Sequence, residues 1–391
     1  MGKVLLKGVD ATESKLLNDN ILVVGSSGSG KTTLFVDAQI MNAGGSIVVA
    51  DTKSNLYKRH KEALEEKGYK VIMIDFIDLD KSTYGFNPLG KLEKQGKDYS
   101  IEDVRDLALT ICERNPDDRD PFWVQSAQMM IEAYIMLTLE VEVNPKVPSN
   151  LRMATSFMSD FSVQYCQGLL SDIDDGSSKA LSAFNRLIKV ADAERTLACI
   201  YQFAFNAMKS FDSGKMYRFF IKEKNIDFTE LSENKTAVFL NISDTDRTND
   251  KLVDLFYMQL FKELIRYADL QENSRLSVPV NVIFDDFATN TFIADFADII
   301  SVIRSRGISV SIILQSLSQL QSKYSKADAK TIMNNCDRCI YLGANEFETI
   351  DYFSSMADKP VSSLINMPLD TAVVFERGYE PRKVIKSFDF E

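Results

Sequence analysis

The segment Gly25–Thr32, GSSGSGKT, has the residue spacing of a phosphate-binding loop. Its glycines let the backbone wrap around an anion and point several N–H groups inward. A helix that starts after Gly30 adds the positive end of its dipole. The Lys31 ammonium is expected to reach the β- and γ-phosphates, and the Thr32 hydroxyl to bind Mg²⁺. The pattern predicts an ATP site formed by Gly25, Ser26, Ser27, Gly28, Ser29, Gly30, Lys31, Thr32 and Thr33.

Two neighbouring carboxylates, Asp285 and Asp286, follow an apolar, strand-like run. A carboxylate at the C-terminal end of a parallel strand lies beside the phosphate loop of such a sheet. We predict that Asp285 binds Mg²⁺ through water and that Asp286 orients or deprotonates the attacking water. An ordinary acidic turn after a strand stays open as the alternative.

Gln315 follows another apolar run, and Arg304 and Arg306 precede the same run. A strand-end amide can sense a γ-phosphate or the attacking water, although many such glutamines are simply solvated. Arginines near a helix C-terminus interact favourably with the helix dipole. The alternative is an arginine offered to the nucleotide of a neighbouring subunit.

Alternating strand-like and helical segments must position these side chains. Continuous apolar runs are typical of strands buried on both faces, and their alternation with helices predicts a mainly parallel sheet with right-handed crossovers. The last two runs, TAVVFERG and RKVIKSF, predict an antiparallel hairpin at a sheet edge. The other predicted strands are 21–24, 46–51, 70–76, 236–243, 278–286, 308–316 and 339–344.

Between about residues 95 and 210, helical spacing replaces the strand-like runs. Turn residues at Asn115–Pro121 and Val143–Asn150 separate the predicted helices. We therefore expect an α/β fold with an inserted all-α domain. The predicted domains are a first nucleotide-binding part at 1–96, the helical insert at 97–209 and a second nucleotide-binding part at 210–391.

The predicted insert is acidic, with 11 basic and 17 acidic residues between 97 and 209. The simpler interpretation is a solvated helical surface that aids solubility. The alternative is an acidic docking surface for a basic protein partner.

Composition excludes several other classes of protein. The chain of 391 residues has a formal net charge of −11, which argues against a surface that coats nucleic acid everywhere but permits a local basic channel. A single histidine, His60, excludes sites that need two histidines. Cys336 and Cys339 form one CxxC without a second pair, so we expect them to be structural.

No secretory signal opens the chain, and no run of about 18 apolar residues is present. We expect a soluble, cytoplasmic protein, at the inner face of the cell membrane if a partner anchors it there.

Taken together, these residues resemble the type IV coupling proteins of bacterial conjugation and type IV secretion. The order of the motifs along the chain is more specific than any one of them, and the helical insert lies where that family has its all-α domain. The matching segments are NILVVGSSGSGKTT (20–33), VVADTKSNLY (48–57), GYKVIMIDF (68–76), YGFNPL (84–89), DPFW (120–123), VIFDDFA (282–288), IRSRGI (303–308) and LQSLSQL (314–320).

The resemblance implies a RecA-like core, homo-hexamers and ATP-driven delivery of relaxase-bound, single-stranded DNA or protein to a secretion channel. The implied partners are relaxase or relaxosome proteins and channel subunits. By position, Arg304 matches the arginine that this family offers to the neighbouring subunit, with Arg306 as the second choice. Lys31, Asp286, Gln315 and Arg304 are thus the expected catalytic residues.

The chain also departs from the family pattern. The second acidic residue is Asp286 where the family usually has glutamate, and an Asp-Pro-Lys-Gly pattern is reduced to Asp51 and Lys53. The family's N-terminal membrane helices have no counterpart here, so we expect the chain to be either the soluble part of a longer protein or a member of a branch that lacks these helices.

Two other functions stay open. The first is an ATP-binding recruitment platform for protein substrates that hydrolyses ATP slowly or not at all, which the Asp286 departure and the acidic insert favour. The second is a related DNA-pumping ATPase with the same core.

Overall fold

The computed structural model describes the chain except for residues 1–3, 54, 96–97, 114–119, 142–143, 174–175, 191–192, 288–291 and 388–391. The chain forms two compact units. The sheet unit comprises residues 1–77, 227–247 and 260–391, and the helical unit comprises residues 78–226 and 248–259. These boundaries lie outside the predicted ones at 97 and 209, and the three-part division made from the sequence stays a prediction.

A nine-stranded sheet forms the centre of the sheet unit. In chain order its strands are β1 Ile21–Val24, β2 Ser46–Asp51, β3 Lys70–Asp75, β4 Thr236–Asn241, β5 Val280–Phe284, β6 Ile308–Leu314, β7 Arg338–Tyr341, β8 Thr371–Glu376 and β9 Arg382–Ile385. Their order across the sheet is β9-β8-β7-β1-β6-β5-β2-β4-β3. Strands β1 to β7 run parallel, and β8 and β9 extend one edge as an antiparallel hairpin, which confirms the predicted parallel sheet and the predicted hairpin.

The central strands are rich in apolar residues, as expected of parallel strands that are buried on both faces. All four residues of β1 are buried, as are the last five of β6. Strand β6 lies between β1 and β5, where Leu314 pairs with Val24 and Ile312 with Phe284. The C-terminal ends of β1, β5 and β6 therefore meet at one edge of the sheet.

Helices connect the strands of the sheet unit, and a separate two-strand pair joins Val4–Leu6 to Val9–Asp10. A π-helical turn, Lys31–Val36, directly follows the glycine-rich loop and continues as the α-helix Asp37–Met41, where the sequence predicted a single helix. The other helices of this unit are Leu56–Glu66, Glu230–Glu233, Phe296–Val302, Leu317–Lys323, Lys326–Asn334, Phe347–Ala357 and Val361–Ile365.

The helical unit packs around the helix Phe122–Glu140, which is buried on most sides. Ser100 and Asn150 each accept a hydrogen bond from the first turn of the helix that they cap. One short antiparallel pair, Lys94–Gln95 with Asp98–Tyr99, adds strand structure inside the predicted all-α segment. The other helices are Ile101–Ile111, Leu151–Asp160, Val163–Ile173, Lys179–Val190, Glu194–Met208 and Gly214–Phe220, with 3₁₀ turns at Pro88–Lys91 and Lys209–Phe211.

The helix Asp250–Asp269 has residues in both units. Residues 114–119, which include most of the predicted turn Asn115–Pro121, lie outside the described part of the chain. Among the described helices, none is both long and apolar enough to cross a lipid bilayer.

Candidate nucleotide site

The glycine-rich loop leaves the end of β1 and is held by the two strands beside it. The Gly25 N–H donates to the Leu314 carbonyl at 3.1 Å, and the Ser26 N–H donates to the Gly343 carbonyl at 2.8 Å. These bonds fix the start of the loop between the ends of β6 and β7. The loop therefore has a defined position at the edge where the parallel strands end, which is where α/β sheets bind ligands.

Two glycines allow the loop to turn sharply before its helix. Gly28 and Gly30 have φ angles of +77° and +93°, in the left-handed region that side chains with a Cβ rarely adopt. Gly30 directly precedes the π-helical turn that begins at Lys31. The first N–H groups of a helix have no acceptor within the helix, so they are available to bind an anion.

The Lys31 side chain lies across the loop and is only 8% exposed. Its ammonium donates to the carbonyl oxygens of Gly25 at 2.8 Å and Ser26 at 3.1 Å. Burial lowers the pKa of Lys31, while the negative charges of Asp286 and Asp285 oppose that shift. The ammonium thus lies within reach of both the loop and the carboxylates.

Thr32 and Asp285 lie together, as the sequence predicts for a magnesium site. The Thr32 hydroxyl donates to Asp285 Oδ2 at 3.0 Å. Asp285 is 6% exposed, and burial together with the charge of Asp286 raises its pKa to about 6. A hydroxyl and a carboxylate are oxygen ligands of the kind that Mg²⁺ prefers. The donor set therefore fits this ion.

Asp286 and Gln315 lie beside this pair. Asp286 has a left-handed backbone with φ +56°, and the Gln315 amide donates to its Oδ1 at 3.4 Å. A non-glycine residue with positive φ costs energy and is often found at functional sites. The amide contact places the Asp286 carboxylate near the end of β6.

The loop also contains a polar atom without a partner. The Ser29 hydroxyl is buried and, within the described residues, has no hydrogen-bond partner. A buried polar group normally has a partner, so this hydroxyl favours an acceptor such as a phosphate oxygen. The loop residues therefore fit a bound phosphate group.

The two arginines that the sequence singled out lie at the opposite edge of the sheet, before β6 begins. Arg304 donates to the backbone carbonyls of Leu16 at 2.9 Å and Lys15 at 3.4 Å. Arg306 forms a two-pronged ion pair with Asp269, at 2.7 and 2.9 Å. Neither arginine contacts the glycine-rich loop of its own chain, so a role for either at a nucleotide requires a second copy.

Lys53, which the sequence identified only as a remnant of the family's Asp-Pro-Lys-Gly pattern, is a further residue near the site. Its positive charge lowers the pKa of both Asp285 and Lys31, which places it near these groups. Asp51 serves the local fold instead, because its carboxylate accepts the N–H groups of Asn55, Leu56 and Tyr57 at the start of the next helix.

Glu346 is a residue that sequence analysis missed. Its carboxylate accepts a hydrogen bond from Thr349. Burial alone would raise the pKa of Glu346, but hydrogen bonds from Ser318, Thr349 and Ser316 outweigh this effect and lower the pKa. Ser316 and Ser318 follow β6, and Glu346 follows β7. The carboxylate thus joins two loops that begin at the strands supporting the glycine-rich loop.

The remaining sequence candidates have structural partners. His60 lies 2.6 Å from Asp37. Cys336 and Cys339 are buried, and burial raises the pKa of Cys339 to about 12, which keeps this thiol protonated. The described residues contain no cluster of three histidine, cysteine or acidic side chains that could hold a metal ion.

Comparisons with solved structures show the fold. The plasmid coupling protein TrwB, in complex with ADP and Mg²⁺, superimposes with a TM-score of 0.75 at 17% identity, covering 100% of this chain and 90% of that one. VirB4 of Thermoanaerobacter pseudethanolicus gives a TM-score of 0.55 at 11% identity, covering 100% and 98%. The chain therefore has the RecA-like P-loop fold with additional helices.

Sequence comparison identifies the family. The conjugal transfer protein TraG of Rhizobium radiobacter is 23% identical over 345 residues, covering 85% of this chain and 51% of TraG. The chain thus spans about half the length of this curated relative. The sequence profile of the family described as "Type IV secretory system Conjugative DNA transfer" matches residues 3–357. The chain therefore belongs to the conjugative DNA-transfer family of type IV secretory systems.

Proposed function

We propose that this chain binds Mg²⁺ and ATP at Gly25–Thr33 and hydrolyses the bond between the β- and γ-phosphates, which releases ADP and inorganic phosphate. The observation that supports this most strongly is the meeting of the glycine-rich loop, the Thr32–Asp285 pair and the Asp286–Gln315 pair at one sheet edge. Three strands that are distant in sequence bring these groups together. A phosphate-binding loop alone would not need the second pair.

Each side chain has a role that follows from its position. Lys31 exchanges its bonds to loop carbonyls for bonds to the β- and γ-phosphates, and Thr32 and Asp285 hold the metal ion. Mg²⁺, when bound, neutralises charge on the phosphates. Asp286 accepts the proton of the attacking water, and Gln315 orients that water.

The proposed role is that of a coupling protein, which recruits relaxase-bound single-stranded DNA or a protein substrate and delivers it to a type IV secretion channel. Membership in the conjugative DNA-transfer family supports this role. In a homo-hexamer, Arg304 would act on the nucleotide of the neighbouring copy, which its position at the opposite sheet edge permits. The proposed partners also include channel subunits and a membrane-anchor protein, which would hold the chain at the inner face of the membrane.

A second candidate function is a recruitment platform that binds ATP but turns it over slowly. Asp286 favours it, because a carboxylate one methylene shorter than glutamate must reach the attacking water from a strained backbone. The acidic helical segment would then serve as the docking surface for a basic partner.

Steady-state ATPase assays with and without single-stranded DNA separate these functions. For a motor, we expect turnover that DNA stimulates and that Lys31→Ala removes. For a platform, we expect the wild type to bind ATP and Lys31→Ala to lose this binding. The ATPase rate of the wild type should then be close to that of Lys31→Ala. Wild-type protein that neither binds nor hydrolyses ATP better than Lys31→Ala would refute both.

A further inference from the structure

A cavity of about 620 Å³ opens at the sheet edge opposite the glycine-rich loop. Three positively charged side chains line it: Lys15, Arg275 and Arg304. Each lies on the segment that leads into one of three adjacent parallel strands, namely β1, β5 and β6. The strand order, which places β6 in the middle, therefore gathers cations that are far apart in the sequence.

The three cations are not neutralised by carboxylates. Across the part of the chain that the structure describes, no carboxylate oxygen lies within 4 Å of the charged nitrogens of Lys15, Arg275 or Arg304. Asp19 also lines the cavity but lies 3.3 Å from the buried Arg338. The charge of Arg304 contributes to the lowered pKa of Asp337, but the Asp337 carboxylate is paired with Arg377. The cavity thus retains an excess of positive charge in a chain with a net charge of −11.

Backbone contacts hold two of the cations in place. Arg304 donates to the carbonyls of Leu16 and Lys15, and Arg275 donates to the Ser305 carbonyl at 3.4 Å. Arg275 also packs over Gly307, where a Cβ would lie 3.3 Å from the arginine Cγ and where φ is +79°. Each guanidinium keeps further N–H groups for a ligand, because it has five donors in a rigid fork.

We infer that this cavity binds the terminal phosphates of a nucleotide held by a second copy of the chain, with Lys15 and Arg275 as binding residues beside Arg304. Guanidinium groups match phosphate oxygens in two-pronged geometry, and three cations suit a triphosphate end. The inference rests on the proposed function, which places Arg304 at a neighbour's nucleotide, and it adds the two other residues and the cavity.

The chain's own nucleotide cannot be the ligand. Strand β6 has seven residues and separates the cavity from the glycine-rich loop. At about 3.3 Å per residue, this distance is roughly 20 Å. A nucleotide bound at Lys31 would therefore have to belong to another copy in order to reach the cavity, whereas free phosphate could enter it directly.

Calorimetric titration with pyrophosphate tests the phosphate site independently of hydrolysis. The protein is Lys31→Ala, in which the glycine-rich loop is disabled. We expect saturable binding that the added pair Lys15→Gln and Arg275→Gln weakens at least tenfold, while Lys330→Gln, an exposed cation elsewhere, has no effect. Absent binding, or binding that the pair leaves unchanged, would overturn the inference.

Subunit mixing identifies the source of the phosphate. The double variant Lys15→Gln with Arg275→Gln should have a kcat at least tenfold lower than the wild type. Its affinity for a non-hydrolysable ATP analogue should stay within twofold. Arg275→Lys in place of Arg275→Gln should recover part of the lost activity. Mixing this double variant with Lys31→Ala should restore a fraction of the activity, because an intact nucleotide site then faces an intact cavity.

The two experiments separate the possible failures. Wild-type protein without ATPase activity would refute the proposed hydrolysis, while the pyrophosphate titration would still decide whether the cavity binds phosphate. An active wild type with an equally active double variant, or a mixture that recovers nothing, would exclude a neighbour's nucleotide as the ligand.

Discussion

Burial opposes the charges that Lys31 and Asp285 need in order to bind a nucleotide. It lowers the pKa of Lys31 and raises that of Asp285 to about 6, and each group limits the shift of the other. A site that holds opposite charges in a low-dielectric pocket gains strong interactions with its ligand but loses stability without it.

The stability of the metal-free protein should depend on the ionisation of Asp285. Because the folded-state pKa of Asp285 lies near 6 and the unfolded value near 3.8, the folded chain holds the extra proton between these two pH values. The contribution of Asp285 to the free energy of unfolding therefore falls as pH rises from about 4 to 6, by about 3 kcal/mol in total. Asp285→Asn, which stays neutral, should be more stable than the wild type above pH 6.

Urea unfolding in EDTA at pH 5 and pH 7.5 measures this effect. The stability gain of Asp285→Asn should be larger at pH 7.5 than at pH 5. Asp351→Asn, at an exposed helical position, is the matched control and should change little. An equal gain at both pH values would show that ionisation of Asp285 is not its cause.

The rate of ATP hydrolysis should depend on the Asp286 carboxylate. Asp286→Asn removes the group proposed to accept a proton from water, so kcat should fall by about 10²-fold or more. The affinity for a non-hydrolysable ATP analogue should stay within threefold, and Asp286→Glu should retain measurable turnover. A single-turnover assay gives the chemical step directly. Full activity in Asp286→Asn would remove this residue from the mechanism.

At the scale of elements, three strands and the loops after them determine the site. The glycine-rich loop bonds to Leu314, at the end of β6, and to Gly343, after β7. Glu346 joins these two flanking loops through Thr349, Ser316 and Ser318. The two segments that bond to the phosphate-binding loop are therefore linked by a carboxylate that is not part of the loop.

Glu346→Ala should loosen both flanking loops. The loss of several hydrogen bonds to a charged group should cost about 1–3 kcal/mol of stability. The affinity for ATP should weaken about tenfold, since the glycine-rich loop loses part of its support. Denaturant unfolding and nucleotide titration measure the two effects, with Glu348→Ala as an exposed control on the same helix. Unchanged nucleotide affinity in Glu346→Ala would assign this carboxylate to stability alone.

At the scale of the whole molecule, the nucleotide edge and the cationic edge lie on opposite sides of one sheet. A nucleotide could therefore reach these cations only if another copy held it. The proposed ring would place one edge of each copy against the other edge of the next. The catalytic unit would then be a pair of neighbouring copies.

ATPase activity should accordingly depend on assembly. The rate per subunit should rise with protein concentration, and Arg304→Ala should abolish it while leaving nucleotide affinity nearly intact. Arg306→Ala is the comparison, because Arg306 is already paired with Asp269. A rate per subunit that is independent of concentration, with full turnover in Arg304→Ala, would contradict an inter-subunit site.

The apolar runs and the residues that follow them were enough to predict the strands and the candidate groups at their ends. Apolar runs such as Ile21–Val24 and Ser46–Asp51 agree with the observed strands residue for residue. The glycine spacing and the position of Asp285 after a strand also predicted their meeting, because the C-terminal ends of parallel strands lie at the same edge. Local composition encodes these features, so no long-range information was needed.

Local patterns do not show which distant groups lie together, because this depends on the order of the strands in the folded sheet. The strand order placed β6 between β1 and β5, which brings Gln315 to Asp286 and gathers the cations at the opposite edge. It also placed Lys53 near the carboxylates and revealed the link made by Glu346. These contacts join segments up to 289 residues apart, and their pairing depends on packing across the whole sheet rather than on any local pattern.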